Sequence, residues 1–537
     1  MILEYENDTK ISKFLKEIDD LTSNYCHDES SKSSESIVTT FLSLVLTIPE
    51  SLDYNRDAAA EFVEKLYNFW RERHRFMVIK LPYENSVKRL YYEYKLAKAG
   101  DNFASLVRST YRELLFHINN SVGKVLRQLP SGVQAAFLVD KLEISKKLGF
   151  NVPSVWGGVL YPPVVFETWT NKRKGVFPVK KGDVIDKLKL NGYWLGIPIK
   201  VGKLKMLIYT QKEFLAHLSG LLNLFKLGDF EEFEDFPDAV VFFGISEKFV
   251  KDDEKNGVAY YDTKYNIYAG LIPALKENDY FGYMKKMILT LHNLIQIENG
   301  NLPLHGAVAK ITFDNGKSKI IALVGDSGAG KSETLEALVR LKDSYVKKIE
   351  MIADDMATLV IENGKVVAYG TEIGAFVRLD DLPKEYAYAT MDRSIFINPG
   401  AVNSRVIVPF GNYDVIITPW KVDYLLYANN YKELEDDEPA VKKFNTIEEA
   451  VKVFSEGKRM AKSTTHEKGL TTSYFANPFG AVQKREIHEK IVEKFFKKLF
   501  SDKVFVGELY TQLGVFGMEE KGPKIAAKAL LSLLRES

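Results

Sequence analysis

Residues 325–332 read G-D-S-G-A-G-K-S, the G-x-x-x-x-G-K-S spacing of a phosphate-cradling loop. Gly325, Gly328 and Gly330 free the backbone to turn its N–H groups inward around an anion. Lys331 is placed to meet the outer phosphates of a polyphosphate, and the Ser332 hydroxyl to hold the Mg²⁺ that travels with them. Asp326, Ser327, Ala329 and Glu333 complete the expected nucleotide-binding stretch. One helix and a return strand later come two adjacent acids, Asp354 and Asp355. Neighbouring carboxylates at a strand end are costly unless a cation or lysine meets them, and beside a polyphosphate this is the place for an acid that binds Mg²⁺. The alternative is an acidic turn. His305 opens a strand whose hairpin partner ends at the glycine loop, so it is either a packed core histidine or a functional one. Arg405 is a candidate anion clamp or else a surface arginine.

These residues need elements to hold them. The apolar run 321–324 reads as a buried strand and 333–338 as an amphipathic helix, which gives the glycine loop its strand–loop–helix setting. Residues 307–312 form a preceding strand, and Asp314-Asn315-Gly316 is the hairpin turn that returns it to the loop. Residues 349–353 carry a strand to the acid pair, and Glu362-Asn363-Gly364-Lys365 turns another hairpin between 358–361 and 366–369. Upstream, 280–295 spaces Met284, Met287, Ile288 and Leu291 as a helix stripe. On residue type alone Lys285 and Lys286 are solvated lysines beside that stripe, and His292 is a packed histidine. Residues 239–245 and 265–271 read as neighbouring strands, 414–418 as strand-like, and the chain after 446 as helical with a glycine break at 473–480.

Composition bounds the rest. A chain of 537 residues exceeds one compact core, so two or more domains are expected. Lys and Arg total 73 against 72 Asp and Glu, so no global field points to nucleic acid or an anionic membrane. The longest apolar-leaning run, 37–48, is too short to span a bilayer. A single cysteine, Cys26, permits no internal disulfide, and the opening residues are acidic and polar; both lead to the expectation of a cytoplasmic protein without a signal peptide. Residues 1–150 show helical spacing at 58–69 and 91–106, a serine-rich loop at 30–36, and a basic group, Arg71, Arg73, His74 and Arg75, that a solvated helix face explains as well as any ligand does. From 151 onward proline and glycine punctuate short β-like runs such as 164–166.

From about 237 onward the chain resembles phosphoenolpyruvate carboxykinase. That family carries a Y-x-G-E-M-K-K helix, a strand beginning M-H-C-S-A-N, the P-loop, an aspartate doublet and an E-N-T-R turn. Here stand Tyr280, Gly282, Met284, Lys285 and Lys286, then His305 at the family's spacing from Lys286, then Asp354-Asp355 and Asn403-Ser404-Arg405. Residues 465–469 (T-H-E-K-G) and 475–479 resemble the family's G-T-E-x-G loop and F-x-x-P-F turn. The resemblance implies a two-lobed α/β protein: a mostly helical region at 1–150, an α/β substrate lobe at 151–299 and a P-loop nucleotide-binding domain at 300–537. It implies Lys286, His305 and Asp355 as ligands of a catalytic Mn²⁺, and Mg²⁺ on Ser332 with ATP or another polyphosphate donor. It implies Lys331 neutralising charge in the transfer, and Arg405 contacting the phosphoryl group or an acid acceptor. Tyr283 replaces the helix glutamate, Val402 the turn acid, and 510–513 the N-T-G-W signature. For the family's N-terminal substrate arginine, Arg173 is the nearest candidate.

The loop region also resembles HPr kinase/phosphorylase, which carries H-G, then G-D-S-G-x-G-K-S-E, then A-D-D; this chain has His305-Gly306, 325–333 and Ala353-Asp354-Asp355. In that family the aspartate is the base for a serine hydroxyl. The first expectation is thus phosphoenolpyruvate formation from oxaloacetate. The second is a kinase of a protein serine or small-molecule hydroxyl, and the third a nucleotide-binding module without turnover. Acceptor, nucleotide base and oligomeric state stay open.

Overall fold

The computed structural model describes residues 56–83, 86–119, 129–172, 175–341, 346–379, 391–435, 437–461 and 469–536. The expectations for 30–36, 37–48, Cys26, Arg173 and 465–468 fall outside them. The chain divides into two compact units: 1–79 with 84–137 and 158–161, and 80–83 with 138–157 and 162–537. The boundary expected near 150 falls within the second unit, and both sides of the 299/300 boundary belong to it.

In the first unit, helices Arg56–Glu72 and Ser86–Asn119 meet through aromatic rings. Tyr67 stacks on Tyr111 at 4.0 Å and Trp70 meets Phe103 edge-on. Both helices cover the stretches where helical spacing was legible, and a short strand, Phe76–Lys80, interrupts the helical pattern. Arg75 is not on a solvated face. It is buried, and its guanidinium donates to the carbonyls of Trp70, Arg73 and Gly132.

The second unit is mixed α/β with large sheets. One large sheet carries β1 (Trp194–Val201), β2 (Leu204–Gln211), β3 (Ala239–Ile245), β4 (Val258–Asp262) and β5 (Ile267–Pro273), in the spatial order β1-β2-β3-β5-β4. Strands β3 and β5 are parallel neighbours buried along their whole length, which is why both read as near-continuous apolar runs. Helix α1 (Phe281–Glu298) follows.

The chain then runs through β6 (Leu302–Phe313), β7 (Ser318–Val324), α2 (Lys331–Arg340), β8 (Val346–Ala353), β9 (Met356–Glu362) and β10 (Lys365–Gly370). A small sheet takes β11 (Gly374–Arg378), β12 (Ile395–Ile397) and β13 (Arg405–Pro409), with Val164–Phe166 at its edge. Next come β14 (Tyr424–Asn429), the hairpin β15 (Lys458–Met460) and β16 (Leu470–Thr472), α3 (Arg485–Ser501), β17 (Phe505–Tyr510) and α4 (Lys521–Glu536). The second large sheet runs β10-β9-β6-β7-β14-β17, with β8 also paired to β6. Alternate residues of β6 and β7 enter opposite cores. Ala307, Ala309, Ile311, Ile321 and Leu323 pack with α2 and α4, whereas Leu304, Val308, Ala322 and Val324 pack with α3. The stretch 414–418, expected to be strand-like, instead falls on a short helix, Tyr413–Ile417, because the Asn412 side chain accepts the Asp414 N–H and caps the turn.

Helix α1 departs from its expected amphipathic form. From Phe281 to Leu294 every residue is buried, Lys285 and Lys286 included. His292 is packed as expected, its Nδ1–H donating to Asn293 Oδ1 at 2.9 Å. Burial pulls its imidazole from the ordinary 6.5 down to about 4, against a smaller upward pull from the Asn293 hydrogen bond. A depressed folded-state value means the unfolded chain holds the proton more tightly. This contribution to stability is therefore complete above pH 6.5 and lost as pH falls toward 4. The Tm should consequently fall more steeply with acid in the native chain than in His292→Gln. Parallel Tm–pH lines for the two would show that His292 carries no such linkage.

Candidate active site

The site is built where β6 changes partners. Its first residues pair with β9, ending at His305↔Met356, and from Gly306 onward it pairs with β7. His305 and Gly306 thus lie between the β8–β9 corner, which is Asp354-Asp355, and the end of β7, where the glycine loop begins. Backbone bonds fix that junction: Gly306 N–H donates to Asp355 O at 2.9 Å and Gly325 N–H to His305 O at 3.0 Å. A side chain at Gly306 would come within 2.5 Å of the Leu323 carbonyl, so only glycine lets these strands approach so closely.

The glycine loop turns through Gly328 and Gly330, at φ 80° and 90°, and Gly330 caps α2. A Cβ at Gly330 would also strike Thr511 Oγ1 at 2.5 Å. Two outside side chains brace the loop: Asn430 Nδ2 donates to Gly328 O at 2.9 Å and Thr511 Oγ1 to Ala329 O at 2.7 Å. The first N–H groups of α2 have no intrahelical acceptor and carry the positive end of the helix dipole, a preformed anion seat. Lys331 is buried, its ammonium on the carbonyls of Gly325 at 2.6 Å and Asp326 at 3.2 Å. Ser332 and Glu333 follow in the first turn of α2.

Around His305 the side chains form one network. Nδ1 donates to Ala476 O at 2.8 Å, which leaves Nε2 to face Asp355 Oδ1 at 3.0 Å. The carbonyl is aimed by a strained turn, since Phe475, Ala476 and Asn477 all adopt positive φ near 55°. Asp355 Oδ2 accepts from the Lys285 ammonium at 2.7 Å, and the same ammonium lies 3.1 Å from Glu372 Oε1. On the loop side, Asp326 Oδ1 is 3.5 Å from His305 Nδ1, and its Oδ2 accepts from the buried Arg459 Nε at 3.1 Å. Strand β15 supplies Arg459.

Charge sets the protonation pattern. Burial works to raise the Asp355 carboxyl, but Lys285 and His305 overcome it and hold the group well below the usual range. Asp326 is likewise held low, burial being outweighed by His305 and Arg459. Burial, joined by the Asp355 charge, pushes Asp354 up to about 6. Burial also raises Glu372, against the pull of Lys285. For Lys285, burial would lower the ammonium, but Asp355 and Glu372 prevail and raise it. One ammonium shared by two acids thus leaves Asp355 as the carboxylate it stabilises most.

Arg405 stands directly opposite Arg378 in the β11–β13 ladder, on the face that carries Phe376. Its guanidinium lies 5.4 Å from the Phe376 ring centre, and the Lys285 ammonium 5.5 Å from the same ring. The Arg405 Nε is buried without a hydrogen-bond partner among the described residues. This side of the network is therefore cationic.

His305, Asp326, Lys331, Asp354, Asp355 and Arg405, all expected from sequence, gather here. The lysine assignment changes: Lys285, not Lys286, pairs with Asp355. Adjacent helix residues point about 100° apart. Lys286 donates to the Gly175 carbonyl at 3.1 Å and lies 5.2 Å from the Phe479 ring, which also lies 5.9 Å from the His305 ring. Asp355, one of the expected ligands, has both its oxygens on His305 and Lys285, and among the described residues no group of three or more His, Cys, Asp and Glu side chains stands ready for a metal. The residues present do not fit a separate Mn²⁺. Glu372 and Arg459 carried no spacing signal in the sequence; only the fold brings them in. The sequence matches no protein-family model and no curated protein.

Removing one member of a buried ion pair strands the other. Arg459→Ala should cost about 3 kcal/mol of stability, and Arg459→Ala with Asp326→Asn should recover part of that loss. Urea denaturation that finds the two losses simply additive would contradict the pairing.

Proposed function

We propose that this chain is a nucleotide-dependent phosphotransferase of the carboxykinase type, which forms phosphoenolpyruvate from oxaloacetate. On this reading 151–299 and 300–537 are the acceptor side and the P-loop nucleotide side of a two-lobed architecture. The observation that carries it is the continuous chain of contacts from the glycine loop through Asp326, His305 and Asp355 to Lys285, with Arg405 across Phe376. The backbone amides at the start of α2 and the Lys331 ammonium would hold the polyphosphate, with Ser332 beside the Mg²⁺. When bound, that ion would supply charge neutralisation for the transfer. Loss of CO₂ from oxaloacetate leaves an enolate, whose oxygen takes the γ-phosphoryl group as ADP departs. Arg405, with an unpaired Nε, would take a carboxylate of the acceptor, and the Lys285 ammonium would face the developing negative charge. Asp355, held as a carboxylate, keeps that ammonium in place.

A second reading, kinase action on a protein serine or small-molecule hydroxyl, is favoured by Asp354. A carboxyl pushed up to about 6 is suited to accept a hydroxyl proton near neutral pH.

The deciding assay supplies Mg²⁺ and oxaloacetate with ATP, GTP or pyrophosphate and follows phosphorus by NMR. Phosphoenolpyruvate should appear with one donor. No turnover with any donor would overturn the carboxykinase reading, and ATP use that depends on a hydroxyl acceptor alone would select the second. Lys331→Ala should abolish nucleotide binding under either; unchanged affinity by calorimetry would remove the glycine loop from the site.

A further inference from the structure

Every donor atom at the His305–Asp355 junction already has a partner. His305 Nδ1 is spent on Ala476 O, and Nε2 and Asp355 Oδ1 face each other at 3.0 Å. Asp355 Oδ2 is taken by the Lys285 ammonium at 2.7 Å. Glu372, the other acid in reach, is 3.1 Å from that same ammonium. Lys285 lies in the second turn of a helix buried at every position from Phe281 to Leu294, so its charge does not swing away to solvent. Phe376 lies beneath it at 5.5 Å and adds a cation–π contact.

We propose that the Lys285 ammonium is the resident cation of this acid–histidine cluster, occupying the place between Asp355 and Glu372 that a protein-held divalent ion would otherwise take. The protein then needs only the divalent ion that arrives with the nucleotide. Without the ammonium, Asp355 and Glu372 would be left as two uncompensated carboxylates, and carboxylates are ligands that a divalent ion takes. A buried ammonium between the two acids supplies a fixed positive charge instead. It needs no loading and cannot be removed by a chelator. It also sets the ligand chemistry: the charge is single, compact and a hydrogen-bond donor, so it suits one oxyanion of an acceptor. The inference deepens the phosphotransferase reading in its choice of cation, but its test is independent of turnover.

The test is Mn²⁺ binding without nucleotide, followed by electron paramagnetic resonance on the full chain. The native protein should leave added Mn²⁺ free. Lys285→Ala, and Lys285→Met, which keeps more of the side-chain volume, should each gain one bound Mn²⁺ per chain at the vacated place between Asp355 and Glu372. Lys285→Arg, which keeps the charge, should gain none. Stoichiometric Mn²⁺ binding by the native chain would overturn the proposal, as would a folded Lys285→Met that gains none. Should Lys285→Ala fail to fold, the native and Lys285→Met measurements still decide it. A native chain that binds neither Mg·ATP nor Mn²⁺ would sink the nucleotide reading while leaving the Lys285 assignment to the variants.

Discussion

Lys285 brings a full positive charge into a helix that is buried at every position from Phe281 to Leu294, and much of the local structure answers to that charge. An ammonium buried without a partner costs several kcal/mol, so the helix is tenable only if acids reach it. Two do, Asp355 from the β8–β9 corner and Glu372 from just before β11. Neither acid is independently comfortable. Glu372 is fully buried, and Asp355 follows another aspartate. Each part is costly alone and tolerable together, and that links α1, the second large sheet and the small sheet.

The same constraint reaches the glycine loop through strand β6. Because β6 exchanges β9 for β7 as its partner at Gly306, one short stretch touches the acid corner on one side and the loop on the other. His305 relays between them, bonded to Asp355 and close to Asp326. Its orientation depends on the Ala476 carbonyl and hence on three consecutive left-handed residues, a conformation that costs of order 1 kcal/mol or more per residue. The packing of Phe475, fully buried among Phe454, Phe496 and His488, offsets that strain. A strained turn that aims one carbonyl at a buried imidazole is consistent with a site that must be preorganised.

Much of this was legible from residue pattern. The loop, its flanking strand and helix, both hairpin turns and the acid corner follow from local glycine chemistry and period-2 burial, which act over a few residues. What local pattern could not convey was that both lysines are buried and which of them meets the acids. Lys285 and Lys286 are adjacent on a helix that reads as amphipathic, and only the third dimension shows that the supposed solvent face is covered. Glu372 and Arg459 were hidden for a related reason. Each lies far along the chain from its partner and in no motif, so nothing near them in sequence marks a buried pair. The stretch 414–418 reads as a strand because an apolar run of four or five residues fits either period, and the Asn412 cap makes it a helix at 413–417.

The central claim is that a cradled polyphosphate and a lysine-centred charge network form one site. Anomalous diffraction at the manganese edge, from crystals grown with Mn²⁺ and a non-hydrolysable ATP analogue, tests it most directly. The account predicts a manganese peak on the phosphates against residues 328–332, with the Lys285 ammonium still between Asp355 and Glu372. A manganese peak between His305 and Asp355 with Lys285 displaced, or phosphates bound away from the glycine loop, would contradict it.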